Sequence, residues 1–156
     1  RAQAEAPWTG RTLMKALVAL DHARTLPPAD ALVRCEQIAA QCSAVHFEGA
    51  VLSACTRAAA FALQAGEPDR AVAHARRVLS CPADITADDL YPAERWLVAA
   101  RAFAAAGLHA QARETLDAGR QWVLQTSEAQ VPPPYRDSFL QHNAVNRELL
   151  ALASQA

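Results

Sequence analysis

Cys35, Cys42 and His46 are the residues whose types come nearest to a reactive or metal-binding set, spaced seven and four residues apart. Thiolates and imidazoles are the usual zinc ligands, and they must converge on one point. On one continuous helix the three would share a face. The helix carrying Cys35 is expected to end near Cys42 or Ser43, which breaks that geometry. None of the four cysteines (Cys35, Cys42, Cys55 and Cys81) belongs to a Cys-x-x-Cys pair. Buried reduced thiols are the better reading, and a metal- or thiol-dependent sensor built on Cys35, Cys42 and His46 is the weaker one.

Other chemistries meet similar objections. Asp88-Asp89, with Asp84 nearby, supplies paired carboxylates, but a polar loop gives no reason for the separated pKa values that acid–base work needs. Asp21 and His22 are adjacent, so on a helix they point about 100° apart. His74, His109 and His142 are scattered. Lys15 is the only lysine and lies in "LMKAL", so no phosphate-binding Gly-Lys-Ser/Thr loop exists. A Gly-x-Ser-x-Gly elbow is also absent. No catalytic residue, metal ligand or cofactor is assigned, and the chain is expected not to be an enzyme.

The elements that carry these residues are helical. Of 156 residues, 52% are apolar, many of them alanine, the best helix former. No stretch alternates as a half-buried strand would. Gly and Pro divide the chain. A first helix is predicted from about Gly10 or Arg11 to Arg24, with Leu13, Ala16, Leu17, Leu20 and Ala23 on one stripe, and Pro27-Pro28 stops it. The second runs from about Ala29 to Cys42 and the third from about His46 to Ala65. The fourth runs from Pro68 to just before Pro82, with Pro68 suited to a first helical turn. After the acidic loop Pro82–Tyr91, a fifth is predicted from about Pro92 to Ala106 and a sixth from His109 to Ala129. Two short helices follow Pro132-Pro133-Pro134, "YRDSFLQH" and "AVNRELLALA", with Asn143 as cap of the second.

A repeat organises these elements. Gly66 and Gly107 lie 41 residues apart. Ala71 and Ala112 follow them at the same offset. Ala58-Ala59 and Ala99-Ala100 precede them, as do Ala62 and Phe103, then Cys55 and Trp96. Both copies read as medium or bulky, small-small, apolar, glycine, small. A weaker copy comes before them, with Pro27-Pro28 in place of the glycine and Ala31 where Ala71 and Ala112 stand. Three hairpins are about the minimum for a stable stack. Phe61, Trp96 and Phe103 are read as core. Trp8 is read as able to pack on a neighbouring domain, and Trp122 as either a contact with the C-terminal cap or an exposed anchor.

This pattern resembles the tetratricopeptide repeat, in which small residues near the middle of one helix and the start of the next let the two approach. The resemblance implies an all-α, right-handed stack of helical hairpins, an α-solenoid, in one domain over residues 1–156. Its hairpins fall at about 10–43, 46–81 and 92–130, with a C-terminal cap at 134–154. It also implies a concave groove lined by the first helix of each hairpin. Carried over by residue, Ser53, Thr56, Ala60 and Gln64 of the second hairpin and Glu94, Leu97, Arg101 and Ala105 of the third would face it. Ser53, Thr56, Gln64, Glu94 and Arg101 would be its polar contacts.

The C-terminal stretch carries a second resemblance, through Tyr135-Arg136, Ser138-Phe139-Leu140, Asn146-Arg147 and Leu149-Leu150. It is similar to the end of the helical-repeat region of large bacterial signalling and transcriptional regulators. These join such an array to a nucleotide-binding ATPase or a DNA-binding domain; neither motif lies in these residues.

The implied function is a non-catalytic protein-interaction or sensory module, with a protein, a peptide or other domains of the parent chain as partner. Self-association is the alternative, through alanine-rich faces or the Leu149-Leu150-Leu152 end, which allows a homodimer. A formal net charge of −1, with Arg76-Arg77 as the longest basic feature, argues against nucleic-acid binding. No apolar run is long enough to span a membrane and no signal-peptide pattern is present; buried free thiols suit a reducing cytoplasm, where the chain is expected to act without membrane contact. The chain opens on Arg1, and we read it as part of a longer protein.

Overall fold

The computed structural model describes residues 9–82, 85 and 91–154. The acidic residues Asp84, Asp88 and Asp89 and the aromatic Trp8 lie outside them. All regular structure among the described residues is helical. Seven α-helices follow in order: α1 (Thr9–Ala23), α2 (Pro28–Ser43), α3 (Glu48–Gln64), α4 (Pro68–Leu79), α5 (Glu94–Ala105), α6 (His109–Ala129) and α7 (Ala144–Ala153).

Each helix from α1 to α6 packs against the next. A second set of contacts joins alternate helices: α3 touches α1, α5 touches α3, and α7 touches both α6 and α5. Small side chains allow these approaches. Ala58, Ala62, Ala71, Ala75 and Ala102 are fully buried, and Ala59 and Ala99 nearly so. The sequence-identified small positions therefore fall at the packed seams. One core runs from α1 to α6, including Leu20, Leu32, Ile38, Leu52, Val78 and Phe103. A second core joins α5 and α6 to the C-terminal elements through Ala93, Leu97, Val123 and Leu149, with Trp96, Trp122, Phe139 and Leu140 packed on it.

Gly66 and Gly107 both sit at φ +75° and end their helices in the same way. The residue after each glycine donates back five residues, Glu67 N–H to the Ala62 carbonyl and Leu108 N–H to that of Phe103, both at 2.8 Å. The glycine N–H groups donate to Leu63 and Ala104 at 3.1 and 3.0 Å. These paired bonds satisfy carbonyls that a helix end otherwise leaves open.

Sequence reading missed a third turn of this kind. His46 takes φ +58°, and Phe47 N–H and His46 N–H donate to the carbonyls of Cys42 and Ser43 at 3.0 and 3.2 Å. His46 thus occupies the left-handed position that glycine usually fills. For this reason α3 starts at Glu48, later than the expected His46. Likewise α5 begins at Glu94, because Pro92 and Ala93 form a turn before it.

At the other end of α4, Arg95 donates from Nη2 to the carbonyls of Val78 and Cys81 at 3.2 and 3.4 Å. A buried guanidinium there complements the negative end of the helix, and burial pushes its pKa down.

Of the two short closing helices expected, the second forms as α7, whereas the first does not form an α-helix. Pro133–Tyr135 form a 3-10 turn, and Ser138–His142 a single π turn. Arg136 holds this bend to the end of α6, donating to the carbonyls of Val131 and Glu128 at 3.1 and 3.0 Å. Asn143 caps α7 as expected, its Oδ1 accepting from the N–H groups of Val145 and Asn146 at 3.0 and 3.1 Å. Asn146, 2% exposed, turns its own amide to the Phe139 carbonyl at 2.9 Å.

Gly119 sets how closely α5, α6 and α7 converge. A methyl group there would lie 2.7 Å from Trp96 Cβ and 2.8 Å from Leu149 Cδ1. Gly119→Ala gains about 1 kcal/mol of helix propensity, and overpacking against two helices costs about 1–3 kcal/mol. We expect a net loss in urea unfolding, accompanied by a change in tryptophan fluorescence. In the same assay His46→Gly, which relieves a left-handed strain of about 1 kcal/mol, should raise stability. A Gly119→Ala protein as stable as the parent would refute this view of the α5–α6–α7 junction.

Candidate functional site

An open cavity of about 490 Å3 lies between alternate helices. Arg24 lies at its edge beyond the end of α1. Arg57, Ala60, Phe61 and Gln64 enter from α3, Tyr91 and Glu94 from the start of α5, and Val145 from α7. The four α3 residues are spaced three, four and seven apart, so one helical stripe forms a wall. The cavity combines two guanidinium groups, a carboxylate and an amide with two aromatic rings and two aliphatic side chains. Such a lining offers directional hydrogen bonds and apolar contact to one ligand. Arg24 pairs with Asp21 at 3.6 Å in an exposed position, where an ion pair contributes little.

Of the polar residues expected in a groove, Gln64 and Glu94 line this cavity, as does Ala60. Ser53 and Thr56 do not reach it. They are 2% and 4% exposed, and Thr56 Oγ1 donates to the Leu52 carbonyl at 2.9 Å, as a threonine facing its own helix does. Ser53 Oγ is buried with no hydrogen-bond partner among the described residues. Leu97 is buried in the second core. Arg101 is exposed and forms an ion pair with Glu148 of α7, so it ties the C-terminal helix to α5 instead of lining the cavity.

Sequence reasoning missed Arg24, Arg57, Phe61, Tyr91 and Val145. For α3 spacing alone does not separate the two sets: 57, 60, 61, 64 and 53, 56, 60, 64 both follow helical spacing, and the burial of Ser53 and Thr56 decides between them. Arg24, Tyr91 and Val145 come from separate elements, and no local spacing links them.

The cysteine set does not assemble. Cys35 and Cys42 are buried in α2, whereas His46 is exposed on the turn beyond it. Among the described residues no three His, Cys, Asp or Glu side chains converge as metal ligands would. No cysteine is in a disulfide. Burial pushes the thiols of Cys35 and Cys55 up to about 11, so at neutral pH they carry little of the thiolate that reacts or ligates.

The aromatic assignments are settled for one residue left open. Trp122 packs on Trp96 with ring centroids 5.1 Å apart and planes tilted by 33°, inside the core shared with the closing helix. It is a cap contact rather than an exposed anchor.

One histidine has a partner that its sequence neighbourhood did not reveal. Glu36 on α2 meets α4 through Arg70 Nη2 at 2.7 Å and His74 Nε2 at 2.9 Å. Arg70 also donates to Glu67 at 2.7 Å. Burial raises the Glu36 pKa, but the hydrogen bonds and charges of Arg70 and His74 outweigh it and hold the carboxyl below its ordinary 4.5.

Comparison with protein-family models, with curated proteins and with solved structures finds no match to this chain. The described residues therefore define an all-helical architecture with a lined cavity, and they assign no family. No helix among them is long and apolar enough to cross a membrane.

The Glu36 cluster gives a signed pH dependence. A carboxyl whose folded pKa is depressed adds stability above its unfolded value, near pH 4.5, and that stability is lost as pH falls through the lower folded value. Between about pH 7 and pH 3 the parent protein should lose more melting temperature than Glu36→Gln, because the variant lacks this titration. Parallel losses in the two proteins would show that the cluster does not contribute.

Proposed function

We propose that the chain is a non-catalytic protein-interaction or sensory module, built as a tetratricopeptide-like stack of three helical hairpins with a C-terminal cap. The cavity between α1, α3, α5 and α7 is its binding groove. In this reading, α1–α2, α3–α4 and α5–α6 are the hairpins, and α7 takes the place of the first helix of a fourth. The alternate-helix contacts support it, as do the matching Gly66 and Gly107 turns.

The observation that carries the functional reading is the lining itself. Arg57, Gln64 and Glu94 surround an apolar patch of Phe61, Ala60 and Val145. An extended peptide presents alternating side chains and backbone groups that match such a mixed wall. The parent protein, in this proposal, is a cytoplasmic bacterial transcriptional or signalling regulator. That part rests on the C-terminal resemblance carried by Tyr135-Arg136, Ser138-Phe139-Leu140 and Asn146-Arg147.

Self-association through the Leu149-Leu150-Leu152 end is the poorer reading. Leu149 is fully buried, and Leu150 and Leu152 pack on the second core. These leucines are already used within the chain.

Selection of displayed random peptides on the purified chain tests the groove. Selected peptides should lose about tenfold or more in affinity, roughly 1.4 kcal/mol, on Phe61→Ala or Gln64→Ala. Peptides that bind both variants as well as the parent would remove the cavity from consideration.

A further inference from the structure

The first hairpin carries another surface, separate from the groove. A cleft of about 210 Å3 opens between α1 and α2. Ala16, Ala19, Ile38 and Cys42 contribute apolar lining, while Lys15 stands on the α1 side and Arg34 on the α2 side. Beside Lys15, Met14 and Val18 are 61% and 63% exposed, the highest values among the large aliphatic side chains of the described residues. Residues 14, 15 and 18 neighbour one another on α1, so the exposed apolar pair lies beside Lys15, which lines the cleft.

Charge indicates what this surface fits. Arg34 donates to the neutral Gln37 at 3.3 Å. Among the described residues neither Lys15 nor Arg34 forms an ion pair with a carboxylate. An occupant must therefore bring apolar surface for Met14, Val18 and the cleft, together with carboxylates for the two cations. A groove between two helices receives the ridge of a third most readily. A second copy fits poorly, because a two-fold pairing of this face would bring the Lys15 and Arg34 cations of both copies together.

We propose that the α1–α2 cleft docks an amphipathic helix of another protein, one whose apolar stripe is flanked by acidic residues. Met14 and Val18 supply the apolar contact, and Lys15 and Arg34 fix the orientation by pairing with the acidic flanks. This surface is independent of the proposed peptide groove.

The probe is a synthetic helix of about 18 residues, with leucines at helical spacing and glutamates on both flanks. A control peptide has lysine in place of every glutamate. Binding is followed by fluorescence anisotropy, with amide shifts locating the contact. The acidic helix should bind, perturb α1 and α2, and weaken as salt is raised. The double variant Lys15→Glu/Arg34→Glu and the single variant Val18→Asp should each weaken it about tenfold or more. Phe61→Ala, in the other cavity, should leave it unchanged. Circular dichroism checks that the variants are folded, which the exposure of Lys15 and Val18 favours.

Equal binding of the acidic and basic helices would overturn the proposal, as would undiminished binding to the folded charge-reversed variant. So would a dimer in sedimentation equilibrium that Val18→Asp dissociates, since that would make a second copy the occupant. Binding to vesicles of anionic phospholipid with no binding of the acidic helix would likewise overturn it.

Discussion

The close approach of helices across alanine is the constraint on which the rest depends. Ala62 and Ala71 are fully buried on either side of the Gly66 turn, as is Ala58 a turn earlier. Two helices whose facing residues are methyl groups approach more closely than helices separated by leucines. That spacing brings α3 near enough to touch α1, α2, α4 and α5. The α3 stripe of Arg57, Ala60, Phe61 and Gln64 can then form one wall of a cavity completed by α5 and α7. In the C-terminal core the same role falls to Gly119, where even a methyl group meets Trp96 and Leu149. Bulky residues are used where spacing is wider, as with Trp96, Trp122, Phe139 and Leu140 around the cap.

Much of the architecture was legible because the close seams need small residues and the turns need glycine. The 41-residue offset between Gly66 and Gly107 marks two turns with the same φ and the same pair of hydrogen bonds. The helix starts at Pro68 and the cap at Asn143 were equally readable, since each residue has one role that its chemistry favours. The His46 turn was not readable. A histidine pays a strain penalty in the left-handed region, so nothing local predicts it there. It was nominated instead as a ligand, for its imidazole. The bend at 133–142 was also hidden, because Arg136 stabilises it by bonds to the carbonyls of Val131, just past α6, and Glu128 within it, five and eight residues earlier.

The site was less legible than the fold. A helix face can be read from spacing, but which of two adjacent faces meets solvent depends on neighbouring helices. Thr56 and Arg57 differ by one position and by about 100°; the first is buried and the second lines the cavity. Arg101 occupies the repeat position of Ala60, yet Glu148 on α7 engages it. Tyr91 and Val145 reach the cavity only because the chain returns after long excursions. Glu36, Arg70 and His74 show the same limit, joining residues 34 and 38 positions apart. Contacts of that kind are properties of packing, and no period in the sequence encodes them.

If alanine spacing governs the structure, enlarging one alanine at each seam is the most direct test. Ala71 is fully buried and Ala112 is 7% exposed, at equivalent places after the two glycine turns. Urea unfolding of Ala71→Leu and of Ala112→Leu should show a loss of about 1–3 kcal/mol each, with the larger loss at Ala71. Two variants within about 0.5 kcal/mol of the parent, the range of ordinary surface substitutions, would contradict the account. They would mean that these helices do not meet across the alanines.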